Sequence, residues 1–163
     1  MSVSNNISTR GSNVTFSCSS MGGPVNTYLW MMNGVTVGND STLVVMDIDV
    51  TSGGSYTCTV SNAAGNESAS TTLYVAPYIV TPLEEQTLTA SGVNVNITCD
   101  AAGFPSPTVN WVDMTNMEVS NTSLLEFSPV MFGDEGLYHC VAATEINGMN
   151  LTATDETTLV GRF

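Results

Sequence analysis

The sequence predicts an all-β protein built as two tandem β-sandwiches, and three observations carry that prediction. Two cysteine–tryptophan frames of nearly equal shape run through the 163 residues: Cys18, Trp30, Cys58 and then Cys99, Trp111, Cys140. Tyr56 and Tyr138 each stand two residues before the second cysteine of their frame. Short runs of alternating apolar residues are bounded by turn formers, and no window carries a helical period. The repeat divides the chain into two domains, 1–76 and 77–163.

Each element can be justified in order. Val14, Phe16 and Cys18 alternate with Asn13, Thr15 and Ser17, so the first-cysteine strand turns its apolar side inward. Tyr28, Trp30 and Met32 face one side of the tryptophan strand and Leu29 and Met31 the other; Asn33-Gly34 then signals a two-residue hairpin. Leu43, Val45 and Ile48 form the next apolar run. Tyr56, Cys58 and Val60 share the inward face of the second-cysteine strand, which leaves Thr57 and Thr59 outward. Asn62 to Asn66 reads as a turn, and Ala69 to Val75 as the last strand of the first half. Ala76-Pro77 leaves a linker of a couple of residues at most.

The second half repeats the plan. Val93, Val95, Ile97 and Cys99 are expected inward, and Asn110 and Val112 outward beside Trp111. Leu124 and Phe127 occupy the run that matches Leu43. Tyr138, Cys140 and Ala142 point in, His139 and Val141 out, and Leu151 to Val160 closes the domain. About seven or eight short strands per half give a sandwich.

Composition narrows the function. The chain has no lysine; Arg10 and Arg162 are its only basic side chains apart from His139, and fifteen acidic residues give a formal charge of −13. Binding nucleic acid or anionic lipid requires basic side chains to neutralise phosphates, so neither partner is expected. Charged residues are only 10% of the chain, and a surface of Ser, Thr, Asn and Gly suits a secreted or cell-surface protein. No 18-residue apolar run is present, and polar sequence follows Met1 directly. The expectation is a piece of a longer receptor, extracellular, with no membrane contact of its own.

All four cysteines fall in the two frames. A bridge across roughly 40 residues contributes roughly 4 kcal/mol in the loop-entropy picture and persists in oxidising compartments. Structural zinc is the alternative, and it favours close pairs such as C-x-x-C, which this chain lacks. The acidic pairs Asp47 and Asp49, Glu84 and Glu85, Asp155 and Glu156 do not have the D-x-D-x-D-G spacing of a calcium loop. No nucleophile stands with a base, and His139 is the sole histidine. No metal, no cofactor and no catalysis are expected of these residues.

Asp134-Glu135-Gly136-Leu137-Tyr138-His139-Cys140 resembles the D-x-G-x-Y-x-C motif of immunoglobulin-superfamily domains, and Gly103-Phe104-Pro105-Ser106-Pro107 resembles the G-x-P-x-P stretch of I-set members. The first half carries the same motif with Ser52 in place of the aspartate. The resemblance covers almost the whole chain. It implies one intersheet disulfide per domain, Cys18–Cys58 and Cys99–Cys140, around core Trp30 and Trp111, with Tyr56 and Tyr138 as tyrosine corners. Many family members pair the aspartate with an arginine across the sandwich base. Between Gly11 and Gly161 there is no lysine or arginine, so Asp134 is expected to bond backbone N–H groups of its own turn. The resemblance further implies a recognition module that binds a protein ligand or a second copy of itself. It is similar to ectodomains of receptor tyrosine kinases or cell-adhesion molecules; its lysine-free, Asn-, Ser- and Thr-rich surface is unusual for vertebrate members, and the whole-sequence resemblance implies an early-branching animal. The resemblance implies a single membrane span and a kinase beyond Phe163 as one expectation; homophilic adhesion without a kinase is the other.

Seven triplets match the N-glycosylation acceptor N-x-S/T, at Asn6, Asn13, Asn39, Asn66, Asn96, Asn121 and Asn150. Asn39 and Asn121 hold equivalent places, each nineteen residues before the second cysteine of its frame. The tryptophan and second-cysteine strands contain no acceptor. Their sheet is therefore expected to stay bare, and Leu29, Met31, Thr57 and Thr59 are the candidate protein contact. The turn Asn62 to Asn66 and the neighbouring loop Met21 to Val25 form a second candidate.

Overall fold

A computed structural model of the chain describes residues 6–20, 23 and 27–162. Of the loop Met21 to Val25, only Gly23 is among them. The chain divides between Ala76 and Pro77 into two compact units. The first contains β1 (Asn6–Ser8), β2 (Val14–Ser17), β3 (Thr27–Met32), β4 (Val35–Gly38), β5 (Thr42–Val45), β6 (Gly54–Asn62) and most of β7 (Gly65–Ile79). The second contains β8 (Gln86–Ala90), β9 (Val95–Thr98), β10 (Ala101–Phe104), β11 (Thr108–Asp113), β12 (Glu118–Ser120), β13 (Leu124–Phe127), β14 (Gly136–Ile146) and β15 (Met149–Arg162).

Both units use one plan. A larger sheet, ordered β1-β7-β6-β3-β4 in the first and β8-β15-β14-β11-β12 in the second, accompanies a two-stranded sheet, β2-β5 or β9-β13. The disulfides Cys18–Cys58 and Cys99–Cys140 each join the small sheet side to the large one, with Cα atoms 6.4 Å apart in both. Trp30 lies opposite Cys58 and Trp111 opposite Cys140 in the ladders, and both indoles are fully buried. Each indole N–H must then find an acceptor inside. Trp30 Nε1 donates to the Asp40 carbonyl at 3.0 Å, and Trp111 Nε1 to the Ser123 carbonyl at 3.2 Å. Phe16 packs on Trp30 and Tyr56 in the first core; Leu125, Val130 and Leu159 surround Trp111 in the second.

Both tyrosine corners form. Tyr56 Oη donates to the Ser52 carbonyl and Tyr138 Oη to the Asp134 carbonyl, each at 2.8 Å. Asp134 does bond its own turn, accepting from the Met131 N–H at 2.7 Å. The serine that replaces it in the first domain has the same task, for Ser52 Oγ accepts from the Asp49 N–H at 3.2 Å. A hydroxyl and a carboxylate thus serve one turn geometry, and neither needs an arginine across the sandwich.

Two expectations require correction. Val93 is 45% exposed instead of inward, because Gly92 N–H bonds the Val130 carbonyl and Val130 N–H the Val93 carbonyl, which holds it in a loop ahead of β9. Leu124 and Phe127 do lie in the strand that matches β5, and Leu125, opposite Ile97, is its buried member. The last strands also exceed their expected bounds at both ends, β7 spanning Gly65–Ile79 and β15 Met149–Arg162.

Candidate interaction face

The outward side of the large first-domain sheet can be read row by row from the ladders. Leu29, Thr59 and Ser68 form one row; Met31, Thr57 and Ser70 form the next. Thr27, Ser61 and Asn66 make a row on the other side of Leu29, toward the hairpin that joins β6 to β7. All four candidate contact residues therefore share one face. Leu29 is 37% exposed, and Met31, Thr57 and Thr59 are half-buried. The hydroxyls pair across strands: Thr59 with Ser68 at 2.7 Å and Thr57 with Ser70 at 2.8 Å. Short, mutually bonded side chains keep this surface flat, and none of the residues in these three rows is ionisable.

The matching face of the second domain differs in chemistry. Asn110, Val141 and Thr154 form one row, and Val112, His139 and Glu156 the next. His139 is not isolated, since its Nδ1 lies 3.3 Å from Glu156 Oε2. Asn110 Nδ2 donates to Glu118 Oε2 at 3.3 Å. This face carries charge; its first-domain counterpart carries none.

The acceptor asparagines do not separate by sheet as the sequence led one to expect. Asn13 stands just ahead of β2 and Asn96 lies on β9 of the small sheet of the second domain, and both are exposed. Asn39 and Asn121 follow β4 and β12. Asn66 and Asn150 are each the second residue of the last strand, β7 or β15, and both are exposed on the large sheet. Asn6 lies on β1 of the large sheet; half-buried, it donates from Nδ2 to buried Thr71 at 2.8 Å. The strand alternation in Asn66-Glu67-Ser68 held this information, but only the ladder shows which neighbours it joins.

Sequence reasoning also missed apolar exposure elsewhere. Val44 is 53% and Met46 70% exposed on or beside β5 of the opposite sheet. The edge strands β4 and β12 carry a bulge at equivalent places: Trp30 pairs Gly38 but Met31 pairs Thr36, and Trp111 pairs Ser120 but Val112 pairs Glu118. Val37 and Val119 are the extra residues and are exposed. Bulges at an edge spoil it as a template for further strands.

The hairpin of the second candidate is tight. Asn62 pairs Gly65, and Asn62 Oδ1 accepts from the Ala64 N–H at 2.8 Å. A cavity of about 250 Å³ lies beside it, lined in part by Val60, Asn62 and Asn66. Among the described residues no group of three or more His, Cys, Asp or Glu side chains gathers to hold a metal. Asp155 is occupied in its own fold, with Oδ2 accepting from the Leu83 N–H at 2.7 Å. Also among the described residues, no helix is long and apolar enough to cross a membrane.

Burial raises the pKa of Tyr56 and of Tyr138, the latter also through the charges of Asp134 and Asp113. Hydrogen bonds from Thr51 lower the pKa of Asp49, and those from Thr115 and Met117 lower that of Asp113. All four groups hold turns or corners and none lies in the rows of the first-domain face.

The model of the immunoglobulin domain matches residues 1–62 and 76–143. Neural cell adhesion molecule 1 of Homo sapiens is 34% identical over 125 residues, which cover 68% of this chain and 14% of that protein. Hemicentin-2 of Mus musculus is 30% identical over 152 residues, covering 84% of this chain and 3% of its own length. The crystal structure of Down Syndrome Cell Adhesion Molecule isoform 1.30.30, N-terminal eight Ig domains, superposes with a TM-score of 0.62 at 28% identity, over 96% of this chain and 25% of that one. The chain thus spans a small part of the relatives it matches. With two disulfide-bridged sandwiches, two tyrosine corners and this match, it belongs to the immunoglobulin-domain family as a tandem pair.

Proposed function

We propose that this chain is an extracellular recognition module of the adhesion type, which contacts a second copy of itself through the outward rows Leu29–Thr59–Ser68 and Met31–Thr57–Ser70. The observation that carries this reading is the absence of charge on that face in a chain of net charge −13. Two such chains repel wherever acidic surfaces approach, and they approach at least cost where none is present. The flat hydroxyl rows let the exposed Leu29 reach a partner, and Met31 extends the apolar surface. The names of the relatives, adhesion molecules among them, support adhesion. They add nothing for a receptor tyrosine kinase, whose support is the whole-sequence resemblance alone; sequence beyond Phe163 with a membrane span and kinase motifs is the finding that would restore it.

The role is one of binding, with the glycan acceptors and disulfides suited to the cell exterior. To test it, the chain is displayed on beads and bead aggregation is scored for wild type, Leu29→Asp and Met31→Asp. An interface residue at the centre of a contact costs about 2 kcal/mol when disrupted, and roughly tenfold in affinity follows from each 1.4 kcal/mol. Loss of aggregation in both variants, with Val44→Asp on the other sheet unchanged, is the expected result. Unchanged aggregation in Leu29→Asp and Met31→Asp contradicts the proposal.

A further inference from the structure

We infer that an N-linked glycan on Asn66 lies over the Leu29 side of the first-domain face and gates access to it. The gating consequence rests on the contact proposed above; the covering itself rests on geometry alone. Asn66 heads the acceptor triplet Asn66-Glu67-Ser68, is exposed, and stands on the outward side one ladder row beyond Ser68. Strand rise and strand spacing put its Cα about 12 Å from that of Leu29 across β6, within reach of the first few sugars.

The surface between the two is suited to carbohydrate. Ser61, Thr59 and Ser68 are the side chains between them, all short. Each bonded hydroxyl pair shares one hydrogen, which leaves a second O–H and free lone pairs to meet sugar hydroxyls. Leu29 and Met31 offer apolar area to the C–H faces of pyranose rings. No charge has to be desolvated when a sugar lies down on these rows.

The other acceptors lack this relation. Asn13 stands ahead of β2 with its Oδ1 accepting from the Asp47 N–H, Asn96 is on the small sheet of the second domain, Asn39 and Asn121 follow β4 and β12, and the Asn6 amide is already bonded to Thr71. Asn150 is likewise the second residue of its strand, but its ladder partner is Glu145; the two rows beyond, Ala143–Thr152 and Val141–Thr154, hold no leucine or methionine, and the third holds His139 and Glu156. A sugar there starts beside the Glu145 carboxylate and has no Leu–Met pair to cover.

The test uses the whole chain secreted from a glycosylating eukaryotic cell, compared with Asn66→Gln and with Ser68→Ala, which removes the acceptor while keeping Asn66. Mass spectrometry of the Asn66 peptide reads occupancy. Hydroxyl-radical footprinting reads the exposure of Leu29 and Met31, with Val44 and Met46 on the other sheet as internal references. The expected result is an occupied Asn66, and loss of labelling at Leu29 and Met31 in the wild type relative to both variants, at unchanged Met46. An unoccupied Asn66, or equal labelling of Leu29 with and without the glycan, overturns the inference. Self-association is measured on the same samples. Protection of Leu29 without any association in the variants upholds the covering and removes the self-contact reading instead.

Discussion

At the scale of single residues, the two repeats show how one geometric demand is met by different chemistry. Ser52 and Asp134 both accept the N–H three residues before them, and both lend a carbonyl to a tyrosine. Tyr56→Phe and Tyr138→Phe each remove one part-buried hydrogen bond. Denaturant unfolding should show each domain less stable by about 1 kcal/mol. Ionising either tyrosine abolishes the same donation, and burial already raises both pKa values from 10.0. The folded state therefore favours the neutral phenol: its contribution is complete below pH 10 and is lost as pH rises through the higher folded value. Phenolate absorbance is expected to show these two groups ionising above pH 10, with stability falling over that range. Asp49 and Asp113 have the opposite sign. Hydrogen bonds lower their pKa below 3.8, so what they contribute is present above that value and lost as pH falls through the lower folded one. Carboxyl NMR shifts followed through acid titration should place both inflections below pH 3.8.

At the scale of elements, alternation around a known inward residue was the most legible feature. Counting by twos from Cys18, Trp30, Cys58 and Cys140 places Phe16, Tyr56, Val60 and Ala142 inside and Leu29, Thr57 and Thr59 outside without a structure. Counting failed where the strand had not begun, at Val93, and it offered no choice between the adjacent Leu124 and Leu125, which have opposite parities. It also could not assign a bend or an edge to a sheet, so the expected bare face was wrong in one respect: Asn66 shares it. The bulges at Val37 and Val119 were equally hidden, since a one-residue slip leaves no mark in composition. Acceptor occupancy should follow local access. Glycopeptide mass spectrometry is expected to find Asn6, half-buried and bonded to Thr71, less occupied than exposed Asn96 or Asn121.

At the scale of the whole molecule, covalent and electrostatic terms set the conditions under which the face can act. Each small domain closes its core with one disulfide around a fully buried tryptophan. Removing one bridge from a domain of this size costs about 2–5 kcal/mol. Intact mass before and after reduction should register two bridges, and thermal melts should collapse on reduction. The charge of −13 is spread over the remaining surface, so association of two copies through an uncharged face is opposed only at longer range. Salt shortens that range, the Debye length being about 8 Å at physiological ionic strength. Sedimentation velocity of the unglycosylated chain, run over increasing concentration at low and high salt, tests the central claim most directly. The account predicts a reversible dimer that tightens with added salt and is absent in Leu29→Asp. A strict monomer at every concentration and salt, or a dimer indifferent to Leu29→Asp, contradicts it.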